Sequence, residues 1–275
     1  MRKRMLRALG VLNLALLSCR IAPVANSPGP TADAELAAGM AAQEKGDYRS
    51  ALQHAQKAVD LAPSMTKAHF ALALTAWALS GPESNPSREM GSIVIREYKK
   101  VLELDPSHAE ASMNLAYFSY SFGKRDEAER YYRKALALRP NDPEAACGVA
   151  ALGVQRGWTD VAQSKNKLNL PLKKPLIDFP SCREVRERNL AGFEESLALL
   201  TRALEVSPEN LDLMGFLSFL YTGRAEIQCG NRRAYQADKA AARKWDRMEK
   251  ETLKKQEPGH VFSRCPPAPP PMPDR

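Results

Sequence analysis

His54, His69, His108 and His260 are the only histidines in the chain, and no two of them fall within reach of one helix turn. No His-Glu-x-x-His pair, Cys-x-x-Cys pair, glycine-rich phosphate loop or Gly-x-Ser-x-Gly elbow accompanies them, so none of the usual metal or nucleophile geometries is written into the spacing. Glu194-Glu195, and Glu249 with Glu251, are neighbouring carboxylates in helical stretches and read as solvated faces. The sequence therefore argues against an enzyme, a cofactor, a metal and a small-molecule substrate. What it offers instead is contact chemistry. Phe70, Trp77, Tyr117 and Tyr120, with Met113 among them, are residue types that anchor peptides and helices, giving large contact area for little lost rotamer freedom.

Those residues need elements to hold them, and the stretch from Ser107 to Pro140 shows what the elements are. Ala111, Leu115, Ala116 and Phe118 form an apolar stripe at helical spacing. Phe122-Gly123-Lys124-Arg125-Asp126 breaks it, with Gly123 suited to a helix C-terminus. A second helix then runs Glu127–Leu138 with Ala128, Tyr131, Tyr132, Ala135 and Leu136 inward, and Pro140 ends it. Small residues at Ala116, Ala128 and Ala135 allow close antiparallel approach. Such a hairpin is too apolar to stand alone and must stack on neighbours.

The neighbours are visible. Pro63, Pro106, Pro140 and Pro208 each close an apolar segment, at intervals of 43, 34 and 68 residues. The small residues recur in phase with them: Gly39, Ala73, Ala116 and Ala150 in first helices, and Ala51, Ala128, Ala58, Ala135 and Ala203 in second helices. A 34-residue helix–turn–helix period with these positions resembles the tetratricopeptide repeat (TPR). The resemblance implies an all-α fold: an α-solenoid of TPR helical hairpins, about four repeats, one with an insertion, closed by a C-terminal capping helix pair. It also implies that first helices line a concave wall, where Phe70, Leu74 and Trp77 of the second repeat and Met113, Tyr117 and Tyr120 of the third would form a partner groove. Asn114 falls near, but does not complete, the Lys/Asn clamp by which some TPR domains hold a C-terminal carboxylate, since Phe70, Met113 and Cys147 occupy the clamp's positions. The competing reading makes these aromatics inter-repeat core, or has the chain's own strap or tail cover them.

The ends and interruptions complete the division of the chain. Met1–Arg7 is strongly basic, Ala8–Leu17 is apolar but too short to span a bilayer, and Leu16-Leu17-Ser18-Cys19 resembles the lipobox of bacterial lipoproteins. That resemblance implies acylation at Cys19; the alternative, ordinary cleavage further on, meets only a poor site at Ala22-Pro23-Val24-Ala25. Residues 1–19 are then a signal peptide, 20–31 a tether, and 32–157 the repeats, with an insertion at Gly81–Ser87 and a turn at Arg156-Gly157. Residues 158–187, with Pro171, Pro175 and Pro180, form a strap packed on flanking helices. Residues 188–256 supply a TPR-like helix and the capping pair, and the Pro-rich 257–275 a polyproline, largely disordered tail. Cys147 reads as an unpaired small apolar residue in a helix, while Cys182, Cys229 and Cys265 stay open between thiol and disulfide. The segment Tyr221-Thr222-Gly223-Arg224-Ala225-Glu226-Ile227 also resembles the C-terminal half of exported TPR proteins of acidobacteria, which have no assigned activity; Gly223 departs from that pattern.

The net charge of +8 collects on the last helix, at Arg232, Arg233, Lys239, Arg243, Lys244, Arg247, Lys250, Lys254 and Lys255. An export signal argues against nucleic acid as its partner, leaving a solvated capping face first and anionic lipid second. Together these readings predict a non-catalytic protein-interaction scaffold in the bacterial cell envelope, exported and lipid-anchored at the membrane, docking a protein or peptide in its groove. The alternatives are an accessory factor of cell-wall, outer-membrane or pilus assembly, or a cell-wall enzyme with an unrecognised site.

Overall fold

The structure, a computed structural model, describes residues 29–80, 87–171, 173–256 and 265–266. Cys19 and the signal segment, residues 81–86 of the insertion and most of the Pro-rich tail lie outside the described residues. Among the described residues there are ten α-helices and no strand: α1 Ala32–Glu44, α2 Tyr48–Leu61, α3 Thr66–Ala78, α4 Arg88–Leu104, α5 Ala109–Ser121, α6 Arg125–Leu138, α7 Pro143–Lys167, α8 Ser181–Val206, α9 Leu211–Glu226 and α10 Arg232–Leu253.

Local chemistry sets the boundaries. Asp47, Asp142, Asn210 and Asn231 precede helices and accept from their first free backbone N–H groups, with Ser50 N–H donating to Asp47 Oδ1 at 3.0 Å and Ala145 N–H to Asp142 Oδ1 at 3.1 Å. Pro143 sits at the first position of α7, where no N–H is missed. Gly46 and Gly123, at φ 75° and 71°, take the left-handed turn between the helices of the first and third hairpins. Each helix then packs on the next in sequence, and first helices also touch across repeats, α1 with α3 and α5 with α7. This is the α-solenoid of helical hairpins that the spacing predicts.

The first hairpin has the thinnest core: Ala32, Ala58 and Ala68, with Leu36, Val59, Ala62 and Met65 partly buried around them. Polar clasps supplement it. Glu35 Oε2 lies 2.6 Å from His54 Nδ1, and Gln43 donates to Thr75 at 2.7 Å. At the next junction His69, only 5% exposed, has Nε2 2.9 Å from the Pro63 carbonyl oxygen and Nδ1 2.6 Å from Glu97 Oε2. A carbonyl only accepts, so Nε2 carries a proton there. The histidine joins the closing turn of one hairpin to both helices of the next.

The fourth repeat differs from expectation. No turn occurs at Arg156-Gly157: α7 runs 25 residues without interruption to Lys167, carrying the helix ten residues past the expected end at 157. The glycine serves packing rather than turning. A Cβ on Gly157 would stand 2.4 Å from Phe193 Cζ, and one on Gly223 would stand 2.8 Å from Phe193 Cε1. The Phe193 ring of α8 is thus wedged between glycines of α7 and α9, which gives Gly223 a packing role.

The strap is shorter than its expected 158–187, because helix occupies both ends. Its middle buries Leu176 and Ile177 in a 3-10 turn, against the end of α9. Leu176 N–H donates to Glu226 Oε2 at 3.0 Å, and Gly230 N–H donates to the Ile177 carbonyl at 2.7 Å. Lys165, 1% exposed, places Nζ 2.9 Å from Glu226 Oε2. Cys182 and Cys229 form a disulfide across the same junction. α10 caps the stack: Ser218 donates to the Ala242 carbonyl at 3.1 Å and Arg224 Nη2 to Asp238 Oδ1 at 2.5 Å.

Candidate functional site

The side chains that the groove reading singles out lie on α3 and α5, in the order the helices stack. Trp77 of α3 stacks on Tyr117 of α5 with centroids 5.5 Å apart and meets Phe118 edge-on at 5.9 Å. Phe70, two turns earlier on the same face of α3, stacks on His108 at 4.9 Å and meets Tyr98 edge-on at 5.7 Å. Both are half-buried, so each serves inter-repeat packing and still presents an edge. Leu74, between them on α3, is 39% exposed.

α5 is different. Met113 and Tyr117 are 3% and 5% exposed, and Asn114 is fully buried with Nδ2 donating to the Tyr98 hydroxyl at 3.0 Å. Asn114 thus holds the second repeat to the third. Tyr120 at the end of α5 is half-buried, and burial pushes its phenol above the usual tyrosine range. The accessible part of the predicted groove is therefore Phe70, Leu74, Trp77 and Tyr120, whereas Met113, Asn114 and Tyr117 are covered.

Two models of one repeat family match the chain: a tetratricopeptide repeat over residues 36–81 and another over residues 95–152. The helical stack has the fold of TPR solenoids. Solved structures agree in fold. A MamA fragment, residues 41 to the end, from Desulfovibrio magneticus RS-1 is 14% identical with a TM-score of 0.54, over 82% of this chain and 97% of that one. A further MamA crystal structure is 15% identical with a TM-score of 0.53, over 84% and 98%. YrrB, a TPR protein with an unusual peptide-binding site, is 13% identical with a TM-score of 0.51, over 81% and 92%. No curated protein matches the chain in sequence.

In TPR register, Cys147 of α7 holds the position that Met113 holds on α5 and Phe70 on α3, on the wall formed by first helices. It is not a free thiol. Cys147 is bonded to Cys265, with Cα atoms 5.5 Å apart and a sequence separation of 118. Cys265 packs against the α7–α9 core and Pro266 is buried, so the expected disordered tail does not hold at these two residues. The sequence signal was present, a wall position occupied by cysteine and a lone cysteine beside a proline run, but their separation hid the pairing.

Elsewhere the polar groups are committed to one another. Arg133 bonds Glu195 through two nitrogens, at 2.5 and 3.0 Å, and Glu129 through Nε at 3.0 Å, while Arg156 pairs with Glu129. These contacts hold Glu129 and Glu195 below the usual carboxylate range, Arg156 being the first cause for Glu129 and Arg133 for Glu195. They tie α6, α7 and α8 on the outer face. A cleft beside them is lined by Arg125, Arg156, Asp160, Arg188 and Asn189. Arg188 is 3.1 Å from Asp160 there, so its charge is already answered. No group of three His, Cys, Asp or Glu among the described residues could hold a metal ion, and no described helix is long and apolar enough to cross a membrane. On α10, Arg243, Lys244 and Arg247 point to solvent and Arg232 reaches Asp178 at 3.2 Å, an arrangement suited to a polar cap on the stack.

Proposed function

We propose that the protein is a non-catalytic interaction scaffold of the bacterial cell envelope, exported and held at the membrane through acyl chains on Cys19, whose TPR wall docks an extended peptide or helix. TPR proteins mediate protein–protein interactions, and the peptide-binding neighbour YrrB shows that this architecture accommodates a peptide. The observation that carries the docking reading is the run of Phe70, Leu74, Trp77 and Tyr120 along adjoining first helices, aromatic and apolar with an accessible edge. Export is supported by the cysteines: all four beyond Cys19 are paired, as suits an oxidising compartment. More than one acyl chain, at about 0.8 kcal/mol per buried methylene, would make the attachment firm.

Leu74→Asp with Tyr120→Ala tests the docking face, because Leu74 is exposed and Tyr120 only partly buried at the edge of a core cluster. Capture of a partner from detergent-solubilised envelopes should fall with helicity unchanged; undiminished capture of the same partner would reject this wall as the site. Cys19→Ser should move the protein from the membrane fraction to the soluble one, and unchanged fractionation would reject the anchor.

A further inference from the structure

We propose that the TPR wall has a built-in ligand: the chain's own C-terminal segment 267–275, Pro-Ala-Pro-Pro-Pro-Met-Pro-Asp-Arg, delivered to the wall by the Cys147–Cys265 disulfide. This rests on the groove reading above and names the groove's resting occupant. Three observations converge on it. The disulfide fixes the start of the segment at a wall position of α7, in the same repeat register as Met113 and Phe70. Pro266, the next residue, is buried rather than directed to solvent. The wall also keeps accessible aromatic edges within reach of that anchor: Tyr120, one repeat away, and Trp77, two repeats away, are each half-buried.

Reach and chemistry agree. Nine residues follow Pro266, and a proline-rich chain advances about 3.1 Å per residue, so the segment reaches roughly 28 Å. Packed helices stand about 8–10 Å apart, which puts α3 roughly 20 Å from α7 by way of α5. The segment is long enough to cross α5 and arrive beside Trp77. Polyproline helices dock on aromatic-lined grooves because they are already extended and lose little entropy on binding, and Tyr120, Trp77 and Phe70, each half-buried, supply such a lining. Tethering adds to this, since a short covalent link gives an effective concentration in the millimolar range. A free peptide must compete with it.

The test uses the purified full chain and the same chain ending at Pro266, which keeps both disulfides. A fluorescently labelled peptide of the sequence PAPPPMPDR is titrated in by polarisation. The shortened chain should bind it, and the full chain should bind it about ten-fold more weakly or worse, the ratio of a millimolar tether to a dissociation constant near 100 μM. Tyr120→Ala in the shortened chain should weaken binding. Pro270→Gly with Pro271→Gly in the full chain, which leaves the sequence of every helix unchanged, should admit the peptide as shortening does. No binding to the shortened chain, equal binding to both chains, or indifference to Tyr120→Ala would each overturn the proposal. The peptide assay contains no other protein. If it fails while an envelope partner is still captured, only the resting occupant is wrong; if it succeeds and no partner is captured, the docking role falls instead.

Discussion

Gly157→Ala separates a turn glycine from a packing glycine, and the structure fixes the sign. The backbone of Gly157 is helical, so alanine is compatible with it and gains about 0.8–1.0 kcal/mol of helix propensity. Against that, the new Cβ would stand 2.4 Å from Phe193 Cζ and 2.7 Å from Cε2, in a core where α7, α8 and α9 meet. Overpacking of this kind costs about 1–3 kcal/mol. The expected net effect is a loss of up to about 2 kcal/mol, a fall of a few degrees in melting temperature at roughly 2–4 °C per kcal/mol. Phe193→Leu supplies the control. Removing the ring opens a cavity and destabilises by itself, but in that background Gly157→Ala meets no ring and should become stabilising by about the propensity term. The double-mutant cycle, followed by circular dichroism during urea unfolding, should give a coupling of about 1–3 kcal/mol. If Gly157→Ala stabilises the wild-type and the Phe193→Leu proteins equally, there is no contact between Gly157 and Phe193 and the account of the long α7 fails.

Lys165→Met should cost about 3–5 kcal/mol, because it strands Glu226 as a buried charge; adding Glu226→Gln should restore most of the loss in thermal melts, and a simple sum of two losses would refute the pairing. Cys182→Ser should lower stability by about 4 kcal/mol, the loop entropy released from a 47-residue separation, and a melting temperature equal to the wild type's under non-reducing conditions would refute the bond. Glu129 and Glu195 have folded-state pKa values lowered by Arg156 and Arg133, so their contribution is full above the ordinary value of 4.5 and is lost as pH falls through the lowered values. Melting temperature should therefore drop below pH ~4.5, and Arg133→Gln with Arg156→Gln should flatten that drop; an unchanged slope in the double variant would place the acid sensitivity elsewhere.

The repeats were legible because their signals are local. Pro63, Pro106, Pro140 and Pro208 stop helices wherever they occur, and Ala116, Ala128 and Ala135 admit a neighbour helix whatever its identity. Gly157 was not legible. A glycine near an expected helix end looks like a C-cap unless one knows that Phe193, on another helix, needs the space. Cys147 and Cys265 failed for a related reason: a helix period places Cys147 on the wall, but nothing in either neighbourhood points to a partner 118 residues away. The candidate site was half legible. Register assigned Phe70, Leu74, Trp77, Met113, Tyr117 and Tyr120 to one wall, yet the degree to which each is covered depends on the neighbouring helices, which register does not report.

The alanine-filled first hairpin has a mechanical corollary. Each buried methyl is worth only about 0.8 kcal/mol, so α1 and α2 form the soft end of a stack whose far end is bolted by the Cys182–Cys229 bond. Any pull arriving through residues ahead of Thr31 loads that soft end first. Under force the molecule should peel from α1 inward, one hairpin at a time, baring the Ala68 face of α3 while the α7–α10 block stays whole.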